Sequence, residues 1–111
     1  MKFNMTKHPN CYLLEIIGRI DSYTAPKIEE ALISLINLDQ VNIVVDLENT
    51  TYISSSGILL FVKTQRRFAN MGTGKFVLCN VPELVYSSFS LSGFNEYFSF
   101  YENSTLAMES L

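Results

Sequence analysis

Apolar residues follow strand-like and helix-like spacings along this chain, and their order sets out the architecture. Lys2 to Lys7 alternates weakly, with Phe3 and Met5 on one side, and Cys11 to Gly18 is a stronger strand. His8, Pro9 and Asn10 between them carry turn chemistry, so the two runs predict a hairpin whose first strand is an antiparallel edge. Ile28, Leu32, Leu35 and Ile36 share one helical face; Pro26 suits the first turn, and Ser22 or Thr24 is available as cap. Asn37 to Gln40 connects this helix to Val41, Ile43, Val44 and Val45, a β-branched run typical of a strand covered on both faces. Asp46 ends that run, and a polar loop leads to Ser54, Ser55 and Ser56. A helix follows from Gly57 and Ile58, with Phe61, Val62, Gln65, Phe68 and Ala69 at helical spacing and Gly72 as its stop. Lys63, Arg66, Arg67 and Asn70 are left for solvent. Phe76 to Cys79 predicts a strand. Glu83 to Leu91 predicts a helix with Leu84, Val85, Phe89 and Leu91 available for packing, stopped by Gly93. Tyr97 to Tyr101 reads as the last strand, and Asn103 or Ser104 caps a terminal helix.

The order β-β-α-β-α-β-α-β-α places the chain in the α/β class. It predicts a mixed sheet, an N-terminal hairpin plus parallel strands, packed with helices through right-handed crossovers. At 111 residues, a single domain spanning 1–111 is expected. Apolar residues at 48% and charged residues at 17% fit a globular chain. A formal net charge of −3 argues against a nucleic-acid partner. No apolar run reaches the roughly 18 residues of a membrane span, so no direct membrane insertion is expected. The opening residues lack an apolar signal core, which points to the cytoplasm. Cys11 and Cys79 lie in apolar strand contexts without a CxxC pair and read as reduced core thiols. The Gly72–Lys75 segment is not a phosphate loop, because Phe76 and a strand follow where Ser or Thr and a helix are required. No cofactor or metal is expected.

Function collects at the carboxyl ends of parallel strands. Asp21 follows the second strand, Asp46 the third, and Ser54 to Gly57 opens a helix one loop later. A helix start presents unpaired N–H groups and the positive end of its dipole, which suits a negative charge. Three readings of the serines compete. Capping needs one hydroxyl, and there are three. A nucleophilic serine lacks both the GxSxG elbow and a histidine placed to serve it. A phosphorylation site uses the helix start to hold the added charge, while a partner docked on the same surface meets that charge directly.

The stretch from Asp46 to Ile58 resembles the STAS domain, the family of bacterial anti-sigma factor antagonists. Asp46, Leu47, Tyr52, Ile53, Ser55, Ser56, Gly57 and Ile58 occupy matching places in its Asp-Leu…Asp-Ser-Ser-Gly-Leu pattern. Gly18 to Asp21 followed by Thr24, Ala25 and Pro26 is similar to a second family segment, and Ser92 to Asn95 with Phe98 to a third. The resemblance implies a binding switch rather than an enzyme. The implied partners are an anti-sigma factor that is itself a serine-protein kinase and a PP2C-type phosphatase. The implied phosphorylation site is Ser55, and the switch surface comprises Asp21, Asp46, Ser54, Ser55, Ser56 and Gly57. The family carries Asp immediately before the phosphorylated serine, whereas this chain carries Ser54. The competing expectation is a STAS scaffold that is not switched, an accessory subunit of a larger regulatory or lipid-transport complex.

Overall fold

Turn chemistry and alternation produce the hairpin directly. In the computed structural model, which describes residues 1–38 and 41–111, β1 (Lys2–Lys7) pairs antiparallel with β2 (Tyr12–Ile20), Lys7 opposite Tyr12 and Lys2 opposite Ile17. The expected connection at Asn37 to Gln40 lies partly outside the described residues, at Asp39 and Gln40. The remaining elements are α1 (Ala25–Ile36), β3 (Ile43–Asp46), β4 (Thr50–Ile53), α2 (Ser55–Met71), β5 (Phe76–Cys79), α3 (Glu83–Leu91), β6 (Phe100–Tyr101) and α4 (Ser104–Glu109). Strand order is β1-β2-β3-β5-β6, and every pairing after the hairpin is parallel. This is the mixed sheet that the sequence pattern predicts.

Both faces of the central strands are covered. Leu14, Ile16, Val45 and Leu78 join the cluster built by α1, α2 and α3, while Leu13, Val44 and Val77 meet Ala107 of α4. Phe61 of α2 stacks on Phe89 of α3 and meets the edge of Phe76. Cys11 and Cys79 are buried free thiols of the α4 face. Burial, and then the charges of Asp46 and Glu48, push the Cys79 thiol up to about 12; burial also raises Cys11.

Several expectations are corrected. The polar loop before the serines contains a strand, β4, which pairs parallel with β2 beyond the end of β3. Its Thr50 is buried because its hydroxyl donates to the Ile16 carbonyl at 2.8 Å. The last strand shrinks to Phe100–Tyr101, since Asn95–Tyr97 forms a 3-10 turn. Leu84 and Leu91 do not pack: they are exposed on α3, whereas Val85 and Phe89 are buried. Ala69 is exposed as well. Lys63 is exposed as expected, and its ammonium donates to Glu29 of α1 at 2.8 Å.

Candidate functional site

The site is built where β2 and β4 end side by side. Ile20 is the register partner of Ile53, so the next residues, Asp21 and Ser54, emerge at the same edge of the sheet. The Ser54 amide donates to the Ile20 carbonyl at 2.8 Å and carries the pairing one residue further. Ser54 has extended backbone and is the N-cap of α2, its hydroxyl accepting the Gly57 amide at 3.3 Å. The helix begins at Ser55, so Ser55 and Ser56 occupy its first turn, and both are exposed. Gly57 holds this turn against the sheet. A Cβ there would lie 2.7 Å from Ile20 Cγ2 and 2.8 Å from Ile53 Cγ1, closer than van der Waals contact permits.

Asp21 is fixed by its own turn. Its Oδ1 accepts from the Tyr23 amide at 3.0 Å and the Thr24 amide at 3.1 Å. Thr24 stands at the N-cap of α1 but gives no side-chain cap, contrary to expectation. Its hydroxyl instead donates to the Arg19 carbonyl and accepts from the Asp21 amide, both at 2.9 Å. Arg19 Nε lies 3.8 Å from Asp21 Oδ2, and its guanidinium sits 4.3 Å over the Tyr52 ring of β4. Desolvation raises the Asp21 pKa, but the Thr24 and Tyr23 amides, the Thr24 hydroxyl and Arg19 outweigh it, so the carboxyl lies below its ordinary value.

Asp21, Ser54, Ser55, Ser56 and Gly57 thus share one end of the molecule. Asp46 is not with them. It stands level with Glu15 on β2, whereas the serine turn stands level with Ile20; at about 3.3 Å per strand residue that is roughly 17 Å along the sheet. Asp46 is buried. Its Oδ1 accepts the Glu48 amide at 2.9 Å and its Oδ2 the Asn80 side-chain amide at 3.2 Å. Asn80 has φ +53, so the carboxylate braces a left-handed turn after β5.

Apolar surface surrounds the serines, and hydrophobic patterning alone did not single it out. Tyr23 is 90% exposed and Leu59 52% exposed. Ser56 and Leu59 of α2 face Ser22 and Pro26 across a shallow groove between α2 and the start of α1. This end of the molecule thus combines exposed apolar side chains with exposed hydroxyls at a helix start. Among the described residues there is no cluster of His, Cys, Asp or Glu able to hold a metal, and no helix is long and apolar enough to cross a membrane.

Comparisons with known proteins agree with this architecture. The family model described as STAS domain matches residues 2–107. An anti-sigma-B factor antagonist of Staphylococcus epidermidis is 28% identical over 80% of this chain and 82% of its own length. The crystal structure of an anti-sigma factor antagonist from Mycobacterium paratuberculosis superposes with a TM-score of 0.86 at 22% identity, covering 98% of this chain and 92% of that one. The Bacillus cell fate determinant SpoIIAA in its phosphorylated form superposes with a TM-score of 0.75 at 17% identity, covering 98% of each chain.

Proposed function

This chain belongs to the STAS domain family, and we propose that it is an anti-sigma factor antagonist switched by phosphate on Ser55. Unphosphorylated, it binds an anti-sigma factor that is a serine-protein kinase and so frees a sigma factor. Phosphorylation of Ser55 by that kinase ends the complex, and a PP2C-type phosphatase restores the binding form. The chain acts by binding and catalyses nothing itself.

The observation that carries this reading is the division of labour among the serines. Ser54 supplies the cap, so capping does not account for the exposed Ser55 beside it. Ser and Asp are both favoured caps. Ser54 therefore serves the helix as the family's Asp would, and the departure from the pattern leaves the serine turn intact. A phosphate on Ser55 adds roughly 1.5 to 2 negative charges at the positive end of a 17-residue helix. The fold tolerates that charge, whereas a partner lying over Tyr23 and Leu59 must desolvate it beside the ionised Asp21. Each 1.4 kcal/mol of that penalty weakens binding about tenfold.

The test is phosphosite mass spectrometry on the chain extracted from growing and from stressed cells. Phosphate on Ser55 whose occupancy changes with condition is the expected result. A chain unmodified under every condition overturns the switch and favours the constitutive scaffold.

A further inference from the structure

The sheet ends on β1, and hydrogen-bond alternation determines which backbone groups that edge presents. The Tyr12 amide donates to the Asn42 carbonyl and the Gly18 amide to the Asn49 carbonyl, both at 2.9 Å. The Ile16 carbonyl accepts from the Thr50 hydroxyl at 2.8 Å. Tyr12, Ile16 and Gly18 therefore aim their backbone groups away from β1. In an antiparallel pair, residues directly opposite either exchange both bonds or exchange none. Lys7 is opposite Tyr12, Met5 opposite Leu14 and Phe3 opposite Ile16. Phe3, Met5 and Lys7 accordingly turn their N–H and C=O groups to the outer side, where no strand pairs among the described residues.

The side chains beside this edge have a definite chemistry. Phe3 and Met5 line a groove whose other wall is α1, at Lys27, Glu30, Ala31 and Ser34. Met5 is 44% exposed. Lys2 and Lys7 mark the two ends of β1, both are exposed, and the strand has no acidic residue. Neither lysine forms an ion pair among the described residues.

We propose that β1 is a second interaction edge, which accepts an extended segment of a partner protein bearing apolar residues at alternate positions and a carboxylate at each end. The added strand takes the free backbone groups of Phe3, Met5 and Lys7, and its apolar side chains enter the groove against α1. Charge selects this occupant over a second copy of the chain. Pairing two β1 strands antiparallel through their outward groups sets Met5 against Met5 and Lys7 against Phe3; it gathers the lysines of both strands with no acidic residue between them, and edge lysines discourage such self-pairing. The same lysines attract carboxylates. The inference makes no use of the serine turn and stands apart from the proposed switch.

The experiment is amide hydrogen exchange by NMR on the full chain, with a short synthetic peptide of alternating valine and threonine ending in aspartate on both sides. The peptide is expected to slow exchange at Phe3, Met5 and Lys7, and to lose this effect at high salt. A counterpart ending in lysine is expected to give no protection. Met5→Pro removes an outward N–H and none of the hairpin's own bonds, a position where an edge strand tolerates proline; it is expected to abolish the protection. Should the proline open the hairpin, Lys2→Glu combined with Lys7→Glu decides, with the preference expected to pass to the lysine-ended peptide. No protection by the aspartate-ended peptide, equal protection by both peptides, or an unchanged preference in the double variant overturns the proposal. Protection that grows with protein concentration alone overturns it too and names a second copy as the occupant.

Discussion

Ser54 is suspended from Ile20: its amide donates to the Ile20 carbonyl at 2.8 Å while its hydroxyl receives the Gly57 amide at 3.3 Å. One residue thereby ties the end of β2 to the first turn of α2, and the exposed serines inherit their position from that tie. The consequences of breaking it are measurable.

Ser54→Ala removes the cap and is expected to cost about 1 kcal/mol, whereas Ser54→Asp keeps it and costs little. Urea unfolding of the three proteins checks this. Equal midpoints for the alanine variant and the parent chain would contradict the capping role.

Gly57→Ala forces a methyl group into Ile20 and Ile53. The expected loss is about 1–3 kcal/mol, as for other overpacked sites, together with displacement of the serine turn. Thermal melting reads the first effect, and chemical shifts of the Ser55 and Ser56 amides read the second. A variant unmoved in both would show that the helix start is not wedged against the sheet.

On the proposed switch, Ser55→Asp weakens binding to the partner kinase about tenfold or more, equivalent to at least about 1.4 kcal/mol. Ser55→Ala binds like the parent and resists release by ATP. Calorimetry with the purified kinase separates the two, and matched affinities would remove Ser55 from the mechanism.

Asp46→Ala strands the Glu48 amide and the Asn80 side chain, and is expected to destabilise the chain by about 2 kcal/mol. Because Asp46 lies away from the serine turn, affinity of the folded variant for the proposed kinase partner should hold. A variant that folds normally but binds poorly would return Asp46 to the docking surface.

The depressed Asp21 pKa sets a pH dependence. A folded value below the unfolded one means that the carboxylate's contribution is complete above the unfolded value, about 3.9, and fades as pH falls through the lower folded value. The stability gap between the parent chain and Asp21→Asn should therefore be constant at neutral pH and shrink below about pH 4. A carboxyl-carbon NMR titration of Asp21 with its midpoint at or above the model-peptide value would refute the assignment.

Much of this was legible in the sequence where burial is periodic. The hairpin, the β-branched β3 and the α2 face of Ile58, Phe61 and Phe68 all announce themselves. β4 does not. Its TTYI run is short and polar, and the unpaired Thr51, bulged where the register shifts opposite Gly18 and Arg19, breaks the alternation, leaving only Thr50 and Ile53 buried. Without β4, neither the contact of Arg19 with Tyr52 nor the adjacency of Asp21 and Ser54 can be deduced. Both depend on a pairing that patterning does not reveal. Asp46 misled for a related reason: it ends a parallel strand as site residues do, but β3 stops short and β4 takes over the last part of the edge. The aromatic run from Tyr97 to Tyr101 has strand propensity throughout, yet Tyr97 closes a turn onto the Phe94 carbonyl, and the run meets β5 only from the Ser99 carbonyl onward.

Gly18, with φ +100, marks where β2 exchanges β3 for β4 as its neighbour. That exchange gives β2 two successive parallel neighbours on one side. The β1, β2, β3 and β5 ladder is broad and covered on both faces in its centre, whereas β4 is held to β2 by the short register from Gly18 to Ile20. Ile53 and the hydroxyl of Thr50 add to that register by packing on Ile20 and bonding the Ile16 carbonyl. The serine turn follows directly from that short register, so its position is inherited from three residues of β2, the bond from Ser54 to Ile20 and the wedging of Gly57 against Ile20 and Ile53.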